Sequence, residues 1–287
     1  MASESDAFAP AEVATRVEAV GVSKAKMPIY RMAALAVLAG AFIGMGGIFF
    51  LTATTDVKAG YGAGQVVGGL VFSLGLILVV VAGAELFTGN NLLVMAAVSG
   101  RVTWTLLLMN WVIVFLGNLL GALSLAVLAY YAQHWAGDGN LVGARALAVG
   151  VAKAGLPFGV AFFRGVLCNA LVCLAVWLCF AAHSVTDKIL AILFPISAFV
   201  AAGFEHSVAN MFFLPYAILL KAQPGVVGAA ALAPEKLAAL SLGAFGRNLL
   251  PVTLGNIVGG GIMVGFVYWV CYLWGAGRGP KGGQKAA

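Results

Sequence analysis

Gly203-Phe204-Glu205-His206-Ser207-Val208-Ala209-Asn210 puts a carboxylate, an imidazole, a hydroxyl and an amide within six residues. Both flanks, Ile189 to Ala202 and Met211 to Leu220, are almost purely hydrophobic. Ionisable groups at membrane depth are costly, so they usually face a bundle interior or a pathway. The segment predicts a protein that moves something across a bilayer.

The rest of the chain supports that reading. Hydrophobic residues make up 62% of 287 and charged residues 9%, where a soluble domain carries about a quarter charged. Six stretches reach the ~20 apolar residues of a spanning helix: 31–53, 64–98 (interrupted), 104–131, 157–182, 188–220 (interrupted) and 248–274. The fold expected is all-α and integral to the membrane. Residues 1–27 carry Glu4, Asp6, Glu12, Arg16, Glu18, Lys24 and Lys26 with no apolar h-region, so they do not read as a signal peptide. Pro10 opens a stretch in which Val13, Val17 and Val20 recur at helical spacing. This predicts a short amphipathic helix outside the membrane, against the plainer reading of a solvated tail. Three segments result: a cytoplasmic N-terminal segment (1–27), a membrane domain (28–275) and a cytoplasmic tail (276–287).

The net charge of +6 does not imply nucleic acid, because the basic excess gathers at the ends. Arg16, Lys24, Lys26 and Arg31 stand at the front; Arg278, Lys281 and Lys285 stand at the back. By the positive-inside rule both termini are cytoplasmic, which needs an even number of crossings. Arg101 and Lys188 fall on the same side; Arg145, Lys153, Lys236 and Arg247 do not. Cys168, Cys173, Cys179 and Cys271 lie in spans without Cys-x-x-Cys or Cys/His metal spacing. No metal or cofactor is expected.

The two halves echo each other. Gly83, Glu85 and Asn90 recur at Gly203, Glu205 and Asn210. Asn110, Leu116, Gly117, Asn118 and Gly121 recur at Asn248, Leu254, Gly255, Asn256 and Gly259. Each repeat holds three spans, and an odd number forces the second copy to enter upside down. Inverted repeats place a site near the midplane, often on discontinuous helices. The matched interruptions, 83–90 and 203–210, predict breaks in the second and fifth spans. Gly117-xxx-Gly121 and Gly255-xxx-Gly259 are small-residue faces for close helix packing.

His206 is the one histidine deep in a span, since His134 and His183 fall at loops or span ends. Imidazole can donate or accept a proton near physiological pH, although a lone buried histidine can also be a satisfied core group. Glu85 and Glu205 are either ion ligands or braces that tie down broken backbone; their symmetry favours the brace. Asn169 either donates to an anion or bridges helices. Lys153 is a solvated charge or an anion attractor at a pore mouth, and Thr88 is open in the same way.

These residues carry a resemblance. Ala84-Glu85-Leu86-Phe87-Thr88-Gly89, Gly117-Asn118-Leu119-Leu120-Gly121, Asn169 to Trp177, Gly203 to Met211 and Pro251 to Gly260 resemble, in order, the formate/nitrite transporter family, and within it the formate channels most. The resemblance implies an aquaporin-like fold of six spans with broken second and fifth helices. It implies a homopentamer in the bacterial inner membrane, each protomer with its own pore. It implies conduction of small monovalent anions: formate first, with nitrite, hydrosulfide, acetate or lactate as alternatives. The family's pore histidine maps onto His206, its loop threonine onto Thr88, its vestibule lysine onto Lys153 and its pore asparagine onto Asn169. Its hydrophobic constrictions map onto Phe72, Leu76, Phe87, Val172 and Phe199. In formate channels the N-terminal helix can act as a gate, and the stretch near 10–22 is similarly placed.

An anion meets a large desolvation penalty at such constrictions. The mechanism expected is neutralisation of the anion by a proton from His206. Enzyme classes fit less well. A b-type cytochrome anchor needs paired axial histidines, and Ser207 beside His206 lacks the Gly-x-Ser-x-Gly context of a nucleophile elbow.

Overall fold

The computed structural model describes residues 7–58 and 60–275; Arg278, Lys281, Lys285 and the expected tail 276–287 lie outside the described residues. Among the described residues twelve helices longer than a single turn follow in chain order: α1 (Pro10–Ala25), α2 (Ile29–Ala53), α3 (Tyr61–Gly83), α4 (Gly89–Val98), α5 (Trp104–Tyr131), α6 (Leu141–Ala154), α7 (Phe158–Ala181), α8 (Val185–Ala201), α9 (Ser207–Leu220), α10 (Pro224–Ala230), α11 (Pro234–Ala239) and α12 (Leu242–Tyr272). Among the described residues there is no strand.

Five helices, α2, α3, α5, α7 and α12, are long and apolar enough to cross a bilayer. The sixth crossing is divided between α8 and α9, of 17 and 14 residues. α3 and α4 are divided in the same way at the equivalent place in the first half. The breaks are shorter than the sequence suggested. Helix resumes at Gly89 and at Ser207, so Asn90 and Asn210 sit on the first turns of the second pieces. Gly83 (φ 87°) and Gly203 (φ 69°) end the first pieces in the left-handed region, where glycine avoids the Cβ clash of other residues.

Local chemistry sets the other helix starts. Pro10 opens α1, and Glu12 Oε2 accepts the Ala9 N–H at 3.1 Å. Ser184 and Asp187 cap α8 reciprocally, at 3.1 and 2.9 Å. α1 forms as expected and lies against the bundle. Val13, Ala14 and Val17 are buried with Leu92, Met95, Cys173, Trp177 and Val264. Tyr268, Trp269 and Tyr272 pack on the same cluster, so α1 and the described end of α12 share one face of the molecule.

Two helix pairs hold the bundle together, α2 with α5 and α7 with α12. A Cβ on Gly121 would lie 1.9 Å from the Val37 carbonyl oxygen. One on Gly259 would lie 2.0 Å from that of Val166. These are the same contact in the two repeats. The outward faces are apolar: Leu108, Val112, Leu116 and Leu120 stand exposed at four-residue spacing on α5, a surface for lipid or another protein.

Gly259→Ala is expected to lower the stability of the purified protein by about 2–3 kcal/mol through overpacking against backbone. Gly246→Ala, with open space at its Cβ, should be neutral or stabilising by up to ~1 kcal/mol. Thermal unfolding in detergent measures both. His134 bonds Thr52 Oγ1 at 2.9 Å and the Tyr216 hydroxyl at 3.3 Å, and burial pushes its pKa below the ordinary value. Its stabilising contribution is therefore complete above about pH 6.5 and is lost as pH falls toward the folded-state value. Unfolding temperature should fall on acidification below that point, and less steeply in His134→Gln.

Candidate functional site

A helix that stops at membrane depth leaves backbone groups without partners. Two asparagines answer this in matching ways. Asn118 Oδ1 accepts the Phe87 N–H at 2.9 Å, while its Nδ2 donates to the carbonyls of Ala36 (2.7 Å) and Glu85 (2.9 Å). Asn256 Oδ1 accepts the Ser207 N–H at 2.9 Å, while its Nδ2 donates to the carbonyls of Gly165 (2.8 Å) and Glu205 (3.0 Å). The N–H groups of Glu85 and Glu205 donate to the Leu35 and Arg164 carbonyls, both at 3.2 Å.

The glutamate side chains extend this pattern. Glu205 accepts from Lys153 Nζ at 2.9 Å and from Asn210 Nδ2 at 2.6 Å. Asn210 Nδ2 also reaches Asn248 Oδ1 (2.7 Å), and Asn248 Nδ2 donates to the Lys153 carbonyl (2.9 Å). In the first half Glu85 pairs with Lys24 at 3.0 Å and accepts from Asn90 at 2.7 Å. Asn90 Nδ2 also reaches Asn110 Oδ1 (3.0 Å), and Asn110 Nδ2 donates to the Lys24 carbonyl (3.3 Å). Lys24 is thus the counterpart of Lys153. The sequence reading counted it only among the charges of the N-terminal segment, although Lys24-Ala25 before Pro28 repeats as Lys153-Ala154 before Pro157.

Symmetry fails at the centre of the site. His206 Nε2 lies 2.9 Å from Thr88 Oγ1, both buried; their repeat partners, Leu86 and Val208, are apolar. His206 also caps α9, its Nδ1 accepting the Ala209 N–H at 3.0 Å. With Nδ1 an acceptor, the neutral ring carries its proton on Nε2, facing Thr88. Asn169 stands behind the threonine. Its Nδ2 faces the Thr88 carbonyl (3.2 Å), Asn91 Oδ1 (2.7 Å) and the Asn256 carbonyl (2.7 Å), so its amide nitrogen bridges helices and has no hydrogen left for an anion. Gly260 makes room for it, since a Cβ there would meet Asn169 Nδ2 at 2.3 Å. Asn91 escaped the sequence reading because its repeat partner, Met211, is not polar.

Two cavities approach this pair. One, of about 550 Å³, opens at the start of α2 and is lined by Lys24, Arg31, Lys188, Glu85, Leu76 and Leu86 among others. The other, of about 230 Å³, opens at the end of α2 and is lined by Arg145, Lys153, Arg164, Glu205, Phe72, Phe199 and His206 among others. Each cavity shows three cations against one carboxylate. Phe72 and Phe199 meet edge to face at 5.9 Å between centroids, and Phe199 stacks on His206 at 5.9 Å. Phe87 and Val172 are buried but line neither cavity. The Phe87 ring packs on Trp111 and Phe115 of α5.

A bundle with paired broken helices and two basic cavities meeting at a closed apolar stretch defines a membrane transport protein. Residues 11–270 match the family described as formate/nitrite transporter, and the chain belongs to that family. It is 42% identical over 272 residues to the formate channel FocA of Escherichia coli K12, covering 93% of this chain and 95% of that protein. It is 42% identical to a probable formate transporter of Methanothermobacter thermautotrophicus, covering 92% and 97%. Its fold is similar to a solved pentameric formate channel with formate bound, with TM-score 0.80, 42% identity and coverage of 85% of this chain and 98% of that one. It is also similar to an FNT family ion channel, with TM-score 0.77, 29% identity and coverage of 91% and 98%.

Asn256→Leu is expected to destabilise the protein by roughly 3 kcal/mol or more, because it strips partners from one buried N–H and two buried carbonyls. Asn118→Leu should match it. Comparing the two variants' unfolding in detergent checks the equivalence.

Proposed function

We propose that this chain is a channel for small monovalent anions, formate first, working as a homopentamer in a bacterial inner membrane. Residues 1–27 form a cytoplasmic segment, 28–275 the channel and 276–287 a cytoplasmic tail. The shared face of α1 and the end of α12 supports placing both termini on one side. The relatives' names and the pentameric structural neighbour support the substrate and the assembly. The observation that carries the reading is the Thr88–His206 pair, set between two cavities in which cations outnumber carboxylates.

Lys24 and Lys153, each pinned to a glutamate, draw anions toward the constriction. A carboxylate is stopped there by desolvation. A simple carboxylic acid has a pKa of roughly 3–4, so only on the order of one molecule in a thousand is neutral at pH 7. Neutralisation inside the pore removes that barrier. The proton balance sets a condition on His206. A neutral ring cannot give up its only N–H, so the ring must first take a second proton, at Nδ1, and release the Ala209 cap. The Nε2 proton then passes through the Thr88 hydroxyl to the carboxylate. A neutral ring and a neutral acid result, and the acid passes Phe72, Leu76 and Phe199. Asn169 holds the Thr88 backbone in place for this step. Glu85, Glu205, Asn90 and Asn210 brace the breaks. Nitrite is the second reading, on the same pair; it also is a weak-acid anion with two oxygens.

Formate uptake by proteoliposomes should rise as external pH falls. His206→Asn is expected to cut the rate at least ~10-fold and to flatten that pH dependence. Unchanged rate and unchanged pH profile would remove His206 from the proton step. Formate, nitrite, acetate and hydrosulfide uptake compared side by side, with and without a pH gradient, ranks the substrates.

A further inference from the structure

The cavity at the end of α2 holds an arginine that the constriction does not account for; its repeat counterpart, Arg16 on α1, is exposed and lines neither cavity. Arg145 lies on α6, half-buried. Its Nε–H donates to Thr54 Oγ1 at 3.1 Å, and the Thr54 hydroxyl is itself fixed by donating to the Phe50 carbonyl at 2.8 Å. Its guanidinium carbon stands 5.5 Å from the Phe50 ring centroid. The terminal nitrogens of the fork have no hydrogen-bond partner, and no carboxylate is within ion-pair distance, among the described residues. The other cations of the cavity differ. Lys153 is held by Glu205 at 2.9 Å. Arg164 is exposed, and no side-chain bond fixes its head among the described residues. Arg145 alone is both anchored and unneutralised.

An aromatic series leads from it toward the closed stretch. Phe50 meets Phe213 at 5.7 Å, Phe213 meets Phe72 at 6.3 Å, Phe72 meets Phe199 at 5.9 Å, and Phe199 stacks on His206. These five residues and Arg145 all line the same cavity. An anion bound at Arg145 is therefore on the route inward. A guanidinium offers two parallel N–H groups that match the two oxygens of a planar oxyanion, whereas an ammonium is a point charge.

We propose that Arg145 is the recognition residue of this vestibule, binding planar oxyanions such as carboxylates and nitrite through its free fork before they reach His206. The inference rests on the anion-channel reading and goes beyond it by naming the group that captures the ion and the chemistry it prefers. Capture acts at low anion concentration, while the barrier at Phe72 and Phe199 limits the rate at saturation. Arg145 therefore sets the half-saturating concentration and not the maximal rate.

The test is the concentration dependence of formate and nitrite uptake into proteoliposomes made with wild type, Arg145→Met, Arg145→Lys and Thr54→Val. Arg145→Met is expected to raise the half-saturating concentration of both anions roughly three- to ten-fold, with the maximal rate held within about two-fold. Arg145→Lys should recover only part of that loss. Thr54→Val should shift the value in the same direction by less. If Arg145→Met does not accumulate, the lysine and Thr54→Val variants carry the comparison. Half-saturation unchanged in the variants overturns the proposal, and full recovery by lysine overturns its bidentate basis. Wild-type protein that carries neither anion removes the channel reading and this inference with it.

Discussion

A peptide group facing hydrocarbon without a hydrogen bond costs several kcal/mol, and this chain breaks two helices at membrane depth. The asparagine amide is the device that permits it. Asn118 and Asn256 each offer one acceptor and two donors, and each uses all three on backbone. Each ties the break to the helix it sits on and to a third helix. An aspartate lacks the donors, and a serine lacks the reach and the second hydrogen. The close α2–α5 and α7–α12 contacts follow from the same need. The amide meets the neighbouring carbonyl only when glycines let the helices approach.

The carboxylates extend this bracing outward. Glu85 and Glu205 give their backbone to the clamp and their side chains to a lysine and an asparagine. The lysine carbonyl is in turn held by Asn110 or Asn248. The cation at each cavity mouth is therefore positioned by the helix break itself. The placing of the lysine and the geometry of the interruption belong to one network, and a substitution at the glutamate disturbs both.

The repeat made much of this legible. Glu85 with Glu205 and Asn90 with Asn210 coincide in sequence, although the glutamate carboxylates bond lysine and asparagine side chains and not the backbone amides expected of a brace. Asn118 and Asn256 marked the register, but their clamping role depends on carbonyls of Ala36 and Gly165, over 80 residues away, which no local pattern reveals. Lys24 was hidden by its setting on a charged surface helix, where one more lysine carries no signal. Arg145 read only as an exception to the positive-inside rule, whereas Lys153 read both as an exception and as an anion attractor at a pore mouth. The structure gives both a physical reason to be there, since they line a cavity. Phe87 was expected among the constriction residues. Its ring turns toward α5, because its backbone N–H is fixed by Asn118 and Trp111 and Phe115 offer it edge-to-face partners.

Near-symmetry also explains why the polar pair occurs once. The two bracing networks are built alike, each with a lysine, a glutamate and two asparagines. The pair and its support rest on substitutions between the repeats: His206 against Leu86, Thr88 against Val208, Asn169 against Gly40 and Asn91 against Met211. Where Gly40 lets α2 touch the Asn118 carbonyl directly, Asn169 inserts an amide between α7 and the Asn256 carbonyl and aims it also at Thr88. His206 is fixed from the opposite side by capping α9. The histidine thus stands at the N-terminus of α9 and the threonine at that of α4. Their 2.9 Å contact exists only while both breaks hold their shape. A side chain that caps a helix while neutral must release that helix to become charged, so any proton cycle at this ring is coupled to movement at the N-terminus of α9.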